Sequence, residues 1–127
     1  MRNSCKGLVD YISHRYENCA EIGVGHFPDV AQALLKAGVR VFATDIRRFR
    51  HEGLEVVVDD ITEPNKPLYA GVELLYSIRP PVELVPYMER LAKEIGAALV
   101  VKPLSSEHPG GRLARRGETT FFLWGQS

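Results

Sequence analysis

Apolar side chains recur along this chain at helical spacing in three segments. The spacing predicts helices over residues 4–17, 28–37 and 84–95. Pro28 suits a first helical turn, where no backbone N–H is needed, and Gly38 suits a helix end. The apolar positions are Leu8, Val9, Ile12 and Tyr16 in the first helix, Val30, Ala33, Leu34 and Ala37 in the second, and Leu84, Met88, Leu91 and Ile95 in the third.

Between the helical segments, short runs of apolar and β-branched residues indicate strands. The predicted strands cover residues 19–23, 39–44, 54–58, 72–76, 97–101 and 119–124. Residues 62–70 contain two prolines and are predicted as a loop with at most one helical turn. Residues 103–117 are predicted to be mainly loop, because a Pro-Gly-Gly sequence at 109–111 interrupts any regular pattern.

Strands that alternate with helices predict parallel βαβ units. We therefore expect residues 1–127 to form one domain, a three-layer α/β/α Rossmann-like doubly wound sheet that is mostly parallel. The expected strand order is 3-2-1-4-5, with the last strand antiparallel beside the fifth. Ligands bind such sheets beyond the carboxyl ends of the strands. The segments expected at that rim are residues 23–27, Asp45, Asp59, Asp60 and residues 77–81.

Composition narrows the classes of partner. The 16 basic residues balance the 16 acidic ones, so the chain has no overall attraction to nucleic acid or to an anionic membrane. No apolar run approaches about 18 residues, and no membrane partner is expected. Cys5 and Cys19 are too few for a disulfide framework, which predicts reduced thiols and a cytoplasmic location. The four histidines lack metal-ligand spacing, and no metal is expected.

The first strand and the loop after it carry the chemistry. Glu21, Gly23 and Gly25 close the strand and lead into a helix whose N-terminus offers free N–H groups. Asp45 follows Gly23 by 22 residues at the end of the second strand, where a carboxylate can accept both hydroxyls of a ribose. A dinucleotide motif would carry glycine or alanine where Pro28 stands. The Glu21 carboxylate suits a cationic amino group better than a pyrophosphate, which favours S-adenosylmethionine over NAD.

The spacing Glu21-x-Gly23-x-Gly25 resembles the first motif of class I S-adenosylmethionine-dependent methyltransferases. The resemblance covers roughly residues 19–101. It implies that Asp45 binds the ribose and that Asp60, or less favourably Asp59, lies beside the adenine. The cofactor-binding residues expected are Glu21, Gly23, Gly25, Asp45, Asp60 and Ser77.

The whole chain, including the sequence Tyr76-Ser77-Ile78-Arg79-Pro80-Pro81, is similar to a small archaeal family of uncharacterised Rossmann-like proteins. That similarity implies the fold and no established activity.

The chain departs from the methyltransferase pattern at several points. Phe27 stands where many such enzymes have a third glycine, and Arg79 stands where amino-methylating enzymes have Asn or Asp before Pro-Pro. Arg79 cannot accept a hydrogen bond from a substrate amine. We also expect neither a substrate domain nor the full terminal hairpin. The sequence therefore predicts ligand binding without methyl transfer to free small molecules, and it assigns no catalytic residue. A partner protein or a second copy of the chain could supply a lid.

Two alternatives remain open at this point. Asp45 would serve a ribose equally well in a module that binds NAD or another nucleotide. The basic residues Arg47, Arg48, Arg50 and His51 could instead mark an RNA-associated scaffold. Charge runs are usually solvated faces, so nucleic acid is the less favoured partner.

Overall fold

A single seven-stranded sheet lies at the centre of the molecule in a computed structural model that describes residues 3–104 and 108–125. The strands are β1 (Asn18–Ile22), β2 (Arg40–Asp45), β3 (Val56–Val58), β4 (Leu74–Ile78), β5 (Ala98–Lys102), β6 (Arg112–Arg116) and β7 (Thr119–Trp124). The helices are α1 (Asn3–Ser13), α2 (Asp29–Lys36) and α3 (Val85–Ile95), with short 3-10 helices at Lys66–Tyr69 and Val82–Leu84.

The strand order is β3-β2-β1-β4-β5-β7-β6. The first five strands are mutually parallel, and β7 pairs antiparallel with β5. This confirms the predicted α/β sheet, its 3-2-1-4-5 order and its antiparallel last strand. The chain leaves β1 toward β2 on one side and reaches β4 on the other, so the winding direction switches between β1 and β4. Ligand sites of doubly wound sheets lie at such a switch point.

The prediction of residues 103–117 as mainly loop is wrong, because β6 lies within them. It pairs antiparallel with β7 along five residues, and the terminal hairpin that the sequence analysis expected to be incomplete is present. As an edge strand, β6 needs no apolar face: Arg112 and Leu113 are exposed to solvent. The turn that joins β6 to β7 begins at Gly117, whose φ of +61° favours glycine.

Apolar side chains of the sheet pack into one large core on each face, and a smaller cluster of Val24, Ala31, Ala43 and Leu54 lies beside α2. One core joins the sheet to α1 and α2, and the other joins it to α3 and to Tyr69. Successive residues of β1 alternate between them, since Cys19 belongs to the first core and Ala20 to the second. Both cysteines are free and fully buried, and burial raises the pKa of the Cys19 thiol to about 12. In the described part of the chain, no helix is long and apolar enough to cross a membrane.

The hairpin end of the sheet is held closely against α1. The Gly7 backbone N–H donates to Thr119 Oγ1 at 3.2 Å, and the Arg116 Nε donates to Asp10 Oδ2 at 2.6 Å. A Cβ atom at Gly7 would lie 2.7 Å from Thr119 Oγ1 and would also meet the Arg116 carbonyl. Glycine is therefore required at position 7 because the β6–β7 hairpin approaches the helix closely there. The helical backbone conformation itself would accept other residues.

Candidate functional site

A cavity of about 400 Å³ opens at the carboxyl ends of β1 to β4, next to the switch point. Its polar wall consists of Gly23, Thr44, Asp45, Asp59, Asp60, Thr62, Ser77 and Arg79. Its apolar wall consists of Ile22, Ile46, Ile61, Ile78, Pro80, Pro81, Leu84 and Met88. A volume of this size lies within the range of small-molecule sites, about 300–1,000 Å³.

The structure brings together four of the six residues expected to bind a cofactor. Gly23, Asp45, Asp60 and Ser77 line the cavity although they lie at the carboxyl ends of four different strands. Glu21 and Gly25 do not belong to this lining. All six were expected to bind the cofactor, and each of the two exceptions has its own physical cause.

Glu21 lies on the opposite face of the sheet from the cavity. Its neighbour Ile22 lines the cavity, and successive side chains of a strand point to opposite faces. Glu21 is 1% exposed and lies beside Tyr76 of β4, its register partner. Burial raises the pKa of the Glu21 carboxyl to about 8, an effect that the nearby Tyr76 hydroxyl partly offsets. Among the described residues, Glu21 Oε1 and the Tyr76 hydroxyl have no well-aligned hydrogen-bond partner.

Gly25 acts on the cavity through Asp45. The Gly25 N–H donates to Asp45 Oδ2 at 2.9 Å, and the Arg47 N–H donates to Asp45 Oδ1 at 3.0 Å. From the other side, His51 Nε2 donates to the Gly25 carbonyl oxygen at 2.7 Å. The carboxylate therefore holds the loop in place, and each of its oxygens keeps a further lone pair for a ligand.

The two glycines of the loop are required by backbone conformation. Gly23 has a φ of +74° and Gly25 a φ of +53°, which L side chains rarely adopt. A Cβ atom at either position would meet nothing within 4 Å. Glycine is thus needed here for the turn itself, and not for a close approach to neighbouring protein atoms.

The paired aspartates after β3 differ in how their oxygens are used. Asp59 accepts a hydrogen bond from the Tyr69 hydroxyl at 2.6 Å on one oxygen and from the Asn65 N–H at 3.0 Å on the other. Asp60 accepts from the Thr62 N–H and hydroxyl on Oδ1, and these bonds lower the pKa of its carboxyl. Asp60 Oδ2 has no partner in the described part of the chain. Asp60 is therefore the better placed to bind a ligand.

Ser77 stabilises the switch point itself. Its side chain is 1% exposed, and its hydroxyl donates to the Ile22 carbonyl oxygen at 2.7 Å, joining β4 to β1. The hydroxyl oxygen can still accept one hydrogen bond from a ligand. Since its proton is already engaged, Ser77 is poorly placed to donate to a ligand or to act as an acid.

The family model described as "Uncharacterised protein family (UPF0146)" matches residues 6–124. The chain belongs to this family. The similar relatives include a UPF0146 protein of Archaeoglobus fulgidus, 37% identical over 118 residues that cover 91% of each chain. A UPF0146 protein of Methanocaldococcus jannaschii is 38% identical over 113 residues, which are 82% of each chain. These matches confirm the predicted similarity of the chain to a small archaeal family of uncharacterised proteins.

Two solved structures share the fold of this UPF0146 protein. One is the sugar N-methyltransferase KedS8 from Streptoalloteichus, with a TM-score of 0.61 and 11% identity over 88% of the present chain. The chain spans about half the length of that enzyme, 54%. The other is an S-adenosyl-L-methionine methyl transferase from Silicibacter pomeroyi, with a TM-score of 0.53, 14% identity and coverage of 91% and 82% of the two chains. At these identities the likeness establishes a methyltransferase-like fold alone.

The apolar side of the UPF0146 cavity was not identified from the sequence. Ile46 is 68% exposed although it is a large apolar residue, and it lines the cavity directly after Asp45. The sequence could have indicated Ile46, because it directly follows Asp45, the predicted ribose-binding residue, and a flat base needs an apolar surface to pack against. Ile61, Leu84 and Met88 come from other elements and carry no sequence signal for a shared wall.

The basic run and the histidine near the glycine loop lie outside the cavity lining. Arg47, Arg48 and Arg50 are exposed to solvent. The His26 ring packs edge-on against Phe49, with the ring centroids 4.8 Å apart. His26 does not belong to the cavity lining, and the arginines form a solvated face.

Proposed function

We propose that the cavity binds an adenosyl ligand of the S-adenosylmethionine class. The observation that carries the proposal is the pair Asp45 and Asp60, which lie at the carboxyl ends of adjacent strands and line one cavity together with eight apolar residues. This arrangement suits a nucleoside, whose sugar hydroxyls and base amino group are donors and whose ring faces are apolar. The fold shared with two methyltransferases agrees with it.

Each part of the nucleoside has a matching group in the cavity. The free Oδ2 of Asp60 can accept a hydrogen bond from the amino group of an adenine. The remaining lone pairs of Asp45 can accept the ribose hydroxyls. The exposed side chain of Ile46 lies between these two carboxylates in the chain and can cover one face of the base.

Charge supports a cationic ligand over a pyrophosphate. Three carboxylates, those of Asp45, Asp59 and Asp60, line the cavity, against the single guanidinium of Arg79. A dinucleotide would bring two negative charges to this wall, which like-charge repulsion disfavours. S-adenosylmethionine brings a sulfonium and an ammonium group instead. Binding of NAD is therefore the weaker alternative.

We expect a methyl acceptor to be activated by its own chemistry rather than by a base of the described cavity lining. When bound, S-adenosylmethionine supplies a sulfonium-activated methyl group that a nucleophile can take. No His, Cys or Lys belongs to the described lining of the cavity, and the Ser77 proton is engaged by Ile22. The protein therefore positions the ligand, and an acceptor has to bring its own nucleophile in its reactive form.

Titration calorimetry tests the proposal. The full chain should bind S-adenosylmethionine and S-adenosylhomocysteine and bind NAD at least tenfold more weakly. The Asp60→Asn variant should lose about 5- to 30-fold in affinity for both adenosyl ligands, because a charge-assisted hydrogen bond is replaced by a weaker one. Glu63→Gln removes an exposed carboxylate near Asp60 outside the cavity lining and should change nothing. Tight binding of NAD, or no binding of either adenosyl ligand, would contradict the proposal.

A further inference from the structure

Arg79 combines two features that set it apart from the rest of the cavity wall. It is the one basic side chain in the described lining. It is also the one non-glycine residue in the described chain with a positive φ, +52°. Such a conformation costs a side-chain-bearing residue on the order of 1–2 kcal/mol and persists only where the surroundings impose it.

The surroundings impose this conformation from both sides. The Arg79 N–H donates to the Lys102 carbonyl oxygen of β5 at 2.6 Å. The next residue, Pro80, is buried and so anchors the chain just beyond Arg79. The turn therefore fixes where the arginine side chain leaves the end of β4.

The guanidinium is held at the glycine-loop side of the cavity. Its central carbon lies 5.9 Å from the centroid of the Phe27 ring, which permits a cation–π contact. Among the described residues, no carboxylate lies within ion-pair distance of Arg79. A half-buried guanidinium that rests on an aromatic ring keeps its forked N–H donors for a carboxylate or phosphate.

The acidic and basic parts of the cavity wall lie at opposite ends. Asp60 follows β3 and Asp45 ends β2, whereas Arg79 follows β4 on the other side of β1. Three strand spacings of about 4.8 Å separate β3 from β4, or roughly 14 Å. That separation is comparable with the extended length of an adenosyl amino acid. A ligand with its base at Asp60 would bring its other end to Arg79.

We propose that Arg79 is the anion-recognition residue of this cavity, with its guanidinium binding a carboxylate or phosphate group at the β4 end. This inference rests on the proposed function and adds the chemical class of the group bound opposite the nucleoside. The anion has two sources: the carboxylate of the adenosyl ligand's own amino acid end, or an anionic group of an acceptor that enters beside it.

Two adenosyl thioethers distinguish these sources. S-adenosylhomocysteine carries the amino acid carboxylate, and 5′-methylthioadenosine lacks the amino acid end. Both are titrated into the natural chain, Arg79→Gln, Arg79→Lys and the control Arg48→Gln, which removes one exposed arginine outside the lining. If the ligand supplies the anion, Arg79→Gln weakens S-adenosylhomocysteine binding about 10- to 100-fold and leaves methylthioadenosine binding unchanged. Arg79→Lys should recover part of the loss, and Arg48→Gln should match the natural chain.

A second arm covers the acceptor as the source. Inorganic phosphate and acetate are titrated into the chain alone and into the chain loaded with S-adenosylhomocysteine, while the Arg79 backbone and side-chain N–H signals are followed by NMR. Anion-dependent shifts of the natural Arg79 signals, with anion affinity lost in Arg79→Gln and kept in Arg48→Gln, support an acceptor anion.

The proposal is overturned if Arg79→Gln alters neither S-adenosylhomocysteine affinity nor anion binding. Failure of both adenosyl ligands to bind the natural chain would overturn the proposed function instead. The anion titration on the unloaded chain would then still decide the role of Arg79. Thermal unfolding of each variant, which should match the natural chain within about 1 kcal/mol, shows that the loss is not a folding defect.

Discussion

The cavity rim and the hairpin end of the sheet are built in different ways. At the rim, the residues that line the cavity are joined through hydrogen bonds to backbone groups and leave acceptors unused, as at Asp45 and Asp60. At the hairpin end, β6 and β7 pack closely against α1, and Gly7 leaves no space for a side chain. The contrast indicates that ligand affinity and folding stability depend on separate residues, which single substitutions can distinguish.

The largest effect is expected from Gly7→Leu. A leucine side chain would meet the Arg116 carbonyl and the Thr119 side chain, and backbone cannot yield as a flexible side chain does. We expect the free energy of unfolding to fall by about 3 kcal/mol, at the upper end for overpacking, measured by urea denaturation. The exposed neighbour Lys6, changed to leucine, should alter stability by less than about 0.5 kcal/mol.

The same variant tests whether the two regions are independent. Gly7→Leu protein that remains folded in buffer should bind S-adenosylhomocysteine as the natural chain does, within about twofold. A large loss of affinity in folded protein would show that the hairpin and the rim are coupled, contrary to the comparison.

The next largest effect is expected at Glu21, which belongs to neither the rim lining nor the hairpin. Burial raises the pKa of its carboxyl from an ordinary 4.5 to about 8, so the folded state holds a proton that the unfolded state releases. Stability should therefore be greatest below about pH 4.5, fall as the pH rises to about 8, and then level off. Glu21→Gln should abolish that decline and be more stable than the natural chain at pH 8.

Denaturation curves between pH 5 and 9 check this prediction. The matched control is Glu118→Gln, which removes an exposed carboxylate from the β6–β7 turn and should keep the decline. Equal pH dependence of the natural chain and Glu21→Gln would mean that Glu21 is ionised in the folded protein across the whole range.

The smallest effect is expected at Gly25, where conformation matters and space does not. Gly25→Ala should cost about 1 kcal/mol, because alanine resists a φ of +53°. Gly25→Asn should cost less, since asparagine tolerates this conformation and nothing lies within 4 Å of the added Cβ. Thermal unfolding of the two variants gives the ranking. A greater loss for the asparagine variant would show that space, not backbone conformation, limits this position.

The sheet was predictable wherever a strand carries a run of apolar residues. Strands β1 to β5 and β7 all carry apolar runs, and their order follows from the rules for doubly wound sheets. Strand β6, with the sequence RLARR, has no such run. It forms because β7 offers a backbone edge, a property of the folded neighbour that the local sequence does not contain.

The sequence predicted which residues lie at the rim of the site, but not which hydrogen bonds each carboxylate oxygen makes. The positions of Gly23, Asp45, Asp60 and Ser77 follow from strand ends. The family resemblance favoured Asp60 over Asp59, but the physical reason is the Tyr69 hydroxyl, which reaches Asp59 only after the chain folds.

The alternation of side chains along a strand could have predicted that Glu21 points away from the cavity, since its neighbour Ile22 lines the cavity. The strained backbone of Arg79 depends on its contact with β5, which no local pattern encodes.

The most direct test of the account is a map of backbone amide shifts on titration with S-adenosylhomocysteine, with NAD and a short RNA as comparison ligands. We expect the adenosyl ligand to shift the amide signals of the cavity residues Gly23, Asp45, Ile46, Asp60 and Arg79 and to leave those of the β6–β7 hairpin unchanged. Absence of shifts with the adenosyl ligand, or shifts confined to the exposed arginines 47, 48 and 50 with RNA, would contradict it.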